Sequence, residues 1–277
     1  LKLIGHLLKA KVVLPDGVVV STDEGVPQGG PLSPLLSNIV LDELDWELEE
    51  RGHRFVRYAD DCNVYVRSER AGQRVKASLC RFIERRLRLK VNEAKSAVAR
   101  PEERHFVGFC LRWDPLNEVT DVLLSKRSKE RIDKRICELT PRNWGGSLRN
   151  CIARVNRYLL GWFGFFGNCT GTRAKSAFGN LDSHIRRRLR AIKLAQWKRK
   201  RTRAKHLIQL GIRSKTAWRC VYDGRKSIWA LSRTPAVNRG LRNAFFAERG
   251  LMSLKERWWQ KNHPVIVVPS QLVLSLG

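Results

Sequence analysis

Charge is divided unequally along this 277-residue chain, and the division restricts what it can fold into more than any single motif does. Residues 1–120 hold 19 Lys and Arg against 18 Asp and Glu, a net of +1, whereas residues 121–277 hold 35 against 8, a net of +27. A compact domain with that surplus repels itself unless polyanions neutralise it, so nucleic acid is the natural partner. The densest stretches are Arg186-Arg187-Arg188-Leu189-Arg190 and Lys198-Arg199-Lys200-Arg201, and seven of the nine tryptophans share this half. For any one tryptophan, a place in an aromatic core beneath a solvated basic face is the competing reading. With 43% apolar residues the chain is too hydrophobic for a disordered basic tail and long enough for two modest cores or one large one.

No run approaches the roughly 18 apolar residues of a membrane span, and the first residues lack the order of a signal peptide, so a soluble protein without membrane partners is expected. The cysteines at 62, 80, 110, 137, 151, 169 and 220 show no metal-binding spacing, which predicts reduced, structural thiols in a cytosolic protein.

Strand and helix signals alternate up to about residue 112, and after Trp113-Asp114-Pro115-Leu116-Asn117 the pattern is mainly helical, which places a division near 112–122. Residues Gly25 to Pro34 form a turn-rich loop leading into a helix. Ser33 is expected at its N-cap and Pro34 at its first position, with apolar Leu36, Ile39, Val40, Leu44 and Leu48, and Gly52 ends it. The run from Arg54 to Val66 predicts a tight hairpin with Ala59-Asp60-Asp61 at its tip. Two adjacent carboxylates repel each other unless a cation lies between them and a substrate, as in phosphoryl-transfer sites; an ordinary acidic turn is the alternative. A helix with Val75, Leu79, Phe82, Ile83 and Leu87 follows, and Leu89 to Lys95 with His105 to Leu111 reads as a further strand pair.

Taken in series, Pro27-Gln28-Gly29-Gly30-Pro31-Leu32-Ser33-Pro34, Phe55-Val56-Arg57-Tyr58-Ala59-Asp60-Asp61, Asn92 with Lys95, and Phe106-Val107-Gly108-Phe109 resemble the palm of the reverse transcriptases encoded by bacterial group II introns. The second half is similar to the same family: Val155 to Phe166 resembles the aromatic Gly-Trp helix of the maturase-specific region, and Leu181 to Arg190, Gln196 to Arg199 and Leu231 to Pro235 resemble its basic blocks. The resemblance implies an α+β fold, in which a partial palm of antiparallel sheet and helices precedes a mainly α-helical thumb and maturase region. The expected domains are the palm over 1–112, the thumb region over 122–205 and a basic helical extension over 206–277.

The implied activity is RNA-directed DNA polymerisation, with binding of intron RNA and assistance to splicing and mobility. By resemblance Asp60 and Asp61 bind magnesium, and Lys95 lies near the triphosphate as a third catalytic residue. Tyr58, Ala59, Pro27, Gln28 and Gly29 border the template-primer end and incoming nucleotide, and Phe106, Gly108 and Phe109 touch the primer. Arg186, Arg187, Arg188, Arg190, Lys198, Arg199, Lys200 and Arg201 grip RNA. The implied partners are group II intron RNA, a primer-template and deoxynucleoside triphosphates, in a cytoplasmic bacterial ribonucleoprotein.

One departure tempers this. The family's two-magnesium site uses a further aspartate on an earlier palm strand, and the sequence begins after that point; Asp16 and Asp23 lack the strand context to replace it. The expectation is therefore a half-complete metal cage and a 277-residue chain that does not extend a primer alone. The alternative is a non-catalytic RNA-binding maturase remnant. A basic DNA-binding regulator is disfavoured, since no helix-turn-helix pattern accompanies the Arg186 cluster.

Overall fold

The computed structural model describes residues 2–8, 11–13, 16–20, 30, 32–224 and 227–263. Two compact units emerge, Leu1–Val107 and Gly108–Gly277. Among the described residues no helix is long and apolar enough to cross a membrane. The fold is α+β, as expected, but among the described residues the strands pair as three separate antiparallel hairpins instead of one continuous sheet.

The first unit starts with α1 (Lys2–Leu8) and a short hairpin, β1 (Val12–Val13) with β2 (Val19–Val20), where Asp16 Oδ1 accepts a hydrogen bond from the Val18 amide. That bond commits Asp16 to its own turn. Next comes α2 (Ser33–Glu50). Ser33 is its first helical residue, not the expected cap: Leu32 occupies the N-cap position in helical geometry, and Pro34 falls in the first turn. The other end matches expectation. Gly52 takes φ +67 and donates to Glu49 O while His53 donates to Leu48 O, the paired bonds of a Schellman stop.

The buried stripe of α2 is Leu41, Leu44 and Leu48: Leu44 and Leu48 lie where expected and Leu36 is half-buried, but Leu41 takes the middle of the face and Ile39 and Val40 are exposed. Around that stripe pack Phe55, Cys62 and Val64 from β3 (Arg54–Tyr58) and β4 (Asp61–Tyr65), and Leu79, Phe82 and Ile83 from α3 (Glu69–Arg85). Ser68 caps α3 by accepting from the Ala71 amide. The strand expected over Leu89 to Lys95 does not form. Asn92 instead closes a turn, its backbone and side-chain oxygens both accepting from the Lys95 amide.

The second unit opens with β5 (Phe109–Asp114) paired to β6 (Val119–Leu124) from Phe109↔Leu124 to Asp114↔Val119. The stretch read as a junction near 112–122 is thus the end, turn and return strand of one hairpin. Its turn is fixed by Asp114, which accepts from the Leu116 amide and from Asn117 Nδ2. β-Branched Val119, Thr120 and Val122 suit a strand, and the Pro115-Leu116-Asn117 turn lets it fold back.

Helices α4 (Lys126–Leu139), α5 (Leu148–Phe166) and α6 (Gly171–Gln196) then enclose a core of Ile132, Ile136, Ile152, Leu159, Phe178, Ile185 and Leu189. Ser125 and Ser147 cap α4 and α5. Shorter helices follow: α7 (Lys200–Gln209), α8 (Ser214–Tyr222), α9 (Ile228–Leu231), α10 (Pro235–Gly240), α11 (Asn243–Ala247) and α12 (Leu254–Asn262). Trp197 and Trp258 are core residues, and Trp144, Trp162 and Trp218 pack against the core. None of the seven cysteines forms a disulfide; burial pushes the Cys62 and Cys151 thiols up to about 11 and Cys169 up to about 12. Such thiols stay protonated and unreactive at neutral pH.

Asp182 pins α12 onto α6. Its buried carboxylate accepts from Ser253 Oγ at 2.8 Å, the Leu254 amide at 2.9 Å and the Lys255 amide at 3.1 Å, at the N-terminus of α12 where a negative charge is favoured. Asp182→Ala leaves these donors unpaired and is expected to cost the second unit roughly 2–4 kcal/mol, read as a lowered urea midpoint. His184, one turn from the Arg187 and Arg188 guanidiniums, has its pKa lowered below 6.5 first by burial, against a smaller opposing pull from Asp133. The unfolded chain therefore binds the proton more readily, so the unit's stability is full above about pH 6.5 and falls as pH drops through the depressed value. Denaturation midpoints between pH 7 and 5 should show that decline, and His184→Phe should flatten it.

Candidate active site

The β3–β4 turn is built from two residues, Ala59 and Asp60, with Tyr58 opposite Asp61 in register. Ala59 takes φ +53, so the first loop position is left-handed, the sign pattern of a type II′ hairpin turn. Glycine is the usual occupant, and alanine there costs about 1 kcal/mol. What holds the strained turn is Arg57. Its Nε donates to both Asp45 oxygens at 2.8 and 3.0 Å, Nη2 bonds Asp45 as well, and Nη1 donates to Asn38 Oδ1 at 2.8 Å and to the Ala59 carbonyl at 3.0 Å. The hairpin tip is thereby bolted to α2.

This clamp decides the electrostatics of the tip. Arg57 is committed to Asp45, and neither Asp60 nor Asp61 has a hydrogen-bond or ion-pair partner among the described residues. Both carboxylates are exposed, as is Tyr58 at 65%. Two adjacent, unneutralised carboxylates offer hard oxygen ligands of the kind magnesium takes, with room for water and phosphate oxygens in the remaining positions. Among the described residues no group of three or more His, Cys, Asp or Glu could hold a metal ion, so the pair is a partial donor set.

Lys95 is exposed on the turn closed by Asn92, and Lys76 Nζ ties the following Ser96 carbonyl to α3 at 2.7 Å. Gly72 lets that segment approach, since a Cβ there would meet Val98 Cγ1 at 2.6 Å. Pro27, Gln28 and Gly29 lie outside the described residues. Phe106 is half-buried in the first unit. Gly108 and Phe109 start the second, where Gly108 O accepts from the Ser125 amide and Ser128 Oγ, and Phe109 packs on Phe165 and Phe166 at centroid distances of 5.3 and 5.4 Å. Of the expected site residues, the structure therefore brings Tyr58, Ala59, Asp60 and Asp61 together.

The eight basic residues expected to grip RNA separate into two kinds. Arg190 is buried, donating to Leu241 O, and Arg188 donates to Thr140 Oγ1, Thr140 O and Cys137 O. Arg187 lies over the Trp229 ring at 3.8 Å, and Arg186 bonds Ser183 Oγ. By contrast Lys198, Arg199, Lys200 and Arg201 are exposed at the start of α7, where cations oppose the helix dipole.

Sequence reading quoted Arg57 within a motif but assigned no role to Arg57, Asp45 or Asn38. The signal was available: Arg57 occupies an inward position of β3, between outward Val56 and Tyr58, and a guanidinium on an inner face requires a carboxylate nearby. Arg57→Ala is expected to destabilise the first unit by roughly 2–3 kcal/mol and to raise amide exchange across residues 54–65. Arg57→Lys should recover little, because one ammonium cannot serve Asp45, Asn38 and the Ala59 carbonyl together.

Comparison with known proteins places these elements. The family model described as reverse transcriptase (RNA-dependent DNA polymerase) matches residues 11–111, which include the clamped hairpin, and the group II intron, maturase-specific domain matches residues 129–211, from α4 to the end of α7. Protein YkfC of Escherichia coli (strain K12) is 60% identical over 35 residues, 13% of this chain and 9% of that protein. A reverse transcriptase match over residues 11–111 and a maturase-specific match over residues 129–211 together support a group II intron-encoded reverse transcriptase and maturase.

Proposed function

We propose that the chain forms part of an RNA-directed DNA polymerase that also binds group II intron RNA and assists its splicing and mobility. The observation that carries the reading is the Asp60–Asp61 pair: exposed, free of any arginine, and presented on a turn fixed by Arg57. Magnesium bound there would neutralise the triphosphate and activate the primer hydroxyl. The chain's own residues have narrower tasks. Asp60 and Asp61 supply ligand oxygens, Tyr58 offers its exposed ring to the template-primer end, and Lys95 holds a cation where leaving-group charge develops. Lys198 to Arg201 add outward positive charge for intron RNA, while deoxynucleoside triphosphates and a primer-template are the substrates.

A two-metal site needs more carboxylate oxygen than this pair provides, which favours a supplement from an earlier palm strand in a longer parent polypeptide. In the test, magnesium-dependent primer extension and intron splicing are measured for this chain and for a parent bearing that strand. Extension is expected from the parent only. Asp60→Ala with Asp61→Ala in the parent should abolish cDNA synthesis and leave splicing assistance in place. Retained cDNA synthesis in that variant would overturn the assignment of the pair, and unchanged splicing without any polymerase activity in the unaltered parent would leave the RNA-binding maturase as the function.

A further inference from the structure

A groove of about 710 Å³ runs along one side of α6 in the second unit. One wall is a single helical stripe, Ser183, Arg186, Arg187 and Arg190, at spacings of three, four and seven residues. The facing wall contributes Arg233 from the turn between α9 and α10, and Arg242 with Asn243 where α11 begins. Five guanidiniums thus line one groove, and no carboxylate does.

The cations feel one another. Burial pushes the Arg190 pKa down to about 10 with Arg186 adding to the effect, and burial followed by the charge of Arg233 lowers that of Arg187. Arg187 Nε is buried without a hydrogen-bond partner, and the Arg233 and Arg242 guanidiniums are exposed with no ion-pair or hydrogen-bond partner among the described residues. A bound anion would relieve this mutual repulsion.

The groove's chemistry also says which anion. No aromatic side chain lines it: the Trp229 face is covered by Arg187 at 3.8 Å, and Phe246 is buried beneath Arg190 at 5.7 Å. Bases therefore find no stacking surface, whereas guanidiniums, hydroxyls and amides match phosphate and ribose oxygens. The facing wall lies beyond residues 129–211, so the maturase-specific match does not account for it.

We propose that this groove seats the phosphodiester backbone of a nucleic acid, contacting phosphates and sugars and reading no bases. The proposal rests on the nucleic-acid-binding reading above and adds to it a place and a mode. The test uses the full chain with a labelled RNA, a DNA of the same sequence and an RNA of scrambled sequence, titrated across a salt series. Arg233→Ala with Arg242→Ala should weaken binding to all three by about tenfold or more and flatten the logarithmic salt dependence by about two units. Arg233→Lys with Arg242→Lys should keep most of the affinity, since a phosphate is held by charge. Arg131→Ala with Lys134→Ala, which removes the same charge from the exposed face of α4, is the comparator.

If the groove variant loses no more affinity than the comparator, the groove assignment falls while the RNA-binding reading stands. The assignment also falls if the loss tracks base sequence, or if pyrophosphate displaces the RNA at micromolar concentration and marks a free oligophosphate site. Should the unaltered chain bind none of the probes, the RNA-binding reading itself fails, and the groove with it.

Discussion

Helix ends set the terms for the second unit. Each helix finishes with carbonyls that have no partner inside the helix, and a unit of short helices has many such ends. With 35 basic and 8 acidic residues after position 120, arginine is the donor in supply. Arg188 closes the end of α4 through Cys137 O and Thr140 O, Arg190 closes α10 through Leu241 O, and Arg203 closes α6 through Leu194 O. Each bond satisfies an orphan acceptor and sets a cation against the negative end of a helix dipole. The scarce carboxylates go to the opposite ends: Asp182 to the start of α12, and Asp121 against Thr170 and Gly171 at the start of α6. There a Cβ on residue 171 would fall 2.1 Å from the Asp121 oxygen.

One consequence is that a run of arginines in the sequence overstates the surface available to RNA. Half-buried Arg188 and buried Arg190 satisfy carbonyls from within, which is tolerable because the guanidinium presents several donors in fixed directions. Arg186 and Arg187, from the same run, keep contact with the groove along α6. The cations that stay fully outward are Lys198 to Arg201, which stand at a helix start where the dipole opposes them and where no internal acid compensates. Positive charge at a helix start is opposed by the dipole, whereas positive charge at a helix C-terminus is favoured by it.

Much of this was legible in the sequence, with misses that share a cause. The Tyr58-Ala59-Asp60-Asp61 hairpin, the stop at Gly52 and the helical second half follow from local chemistry: turn residues, a left-handed glycine and apolar periodicity. The errors arose where a local turn or a pairing outside the reading window overrode strand and boundary signals. Leu89-Lys90-Val91 has strand character, but Asn92 closes a turn behind it, and Phe109 to Asp114 found its partner in Val119 to Leu124 across a Pro115-Asn117 turn that had looked like a boundary. The compact units divide at Val107, while the reverse transcriptase match runs to residue 111 inside β5. The Arg57 clamp joins Asn38 and Asp45 to a residue 12 or more positions away, and no local window contains all three.

That clamp also accounts for features of the tip that would otherwise only weaken the first unit. Ala59 is held at a positive φ which alanine disfavours, and two carboxylates stand side by side in solvent with nothing to offset their repulsion. Arg57 sits three and four residues before them and could have neutralised them. Asp45 takes that arginine instead, with Asn38 and the Ala59 carbonyl using its remaining donors, so the side chain that fixes the turn is the same one kept from quenching its charge. A hairpin selected for stability alone would place glycine at the turn and let Arg57 pair with Asp60. The arrangement found here forgoes that pairing and leaves two adjacent carboxylates exposed on a turn that Arg57 fixes to α2.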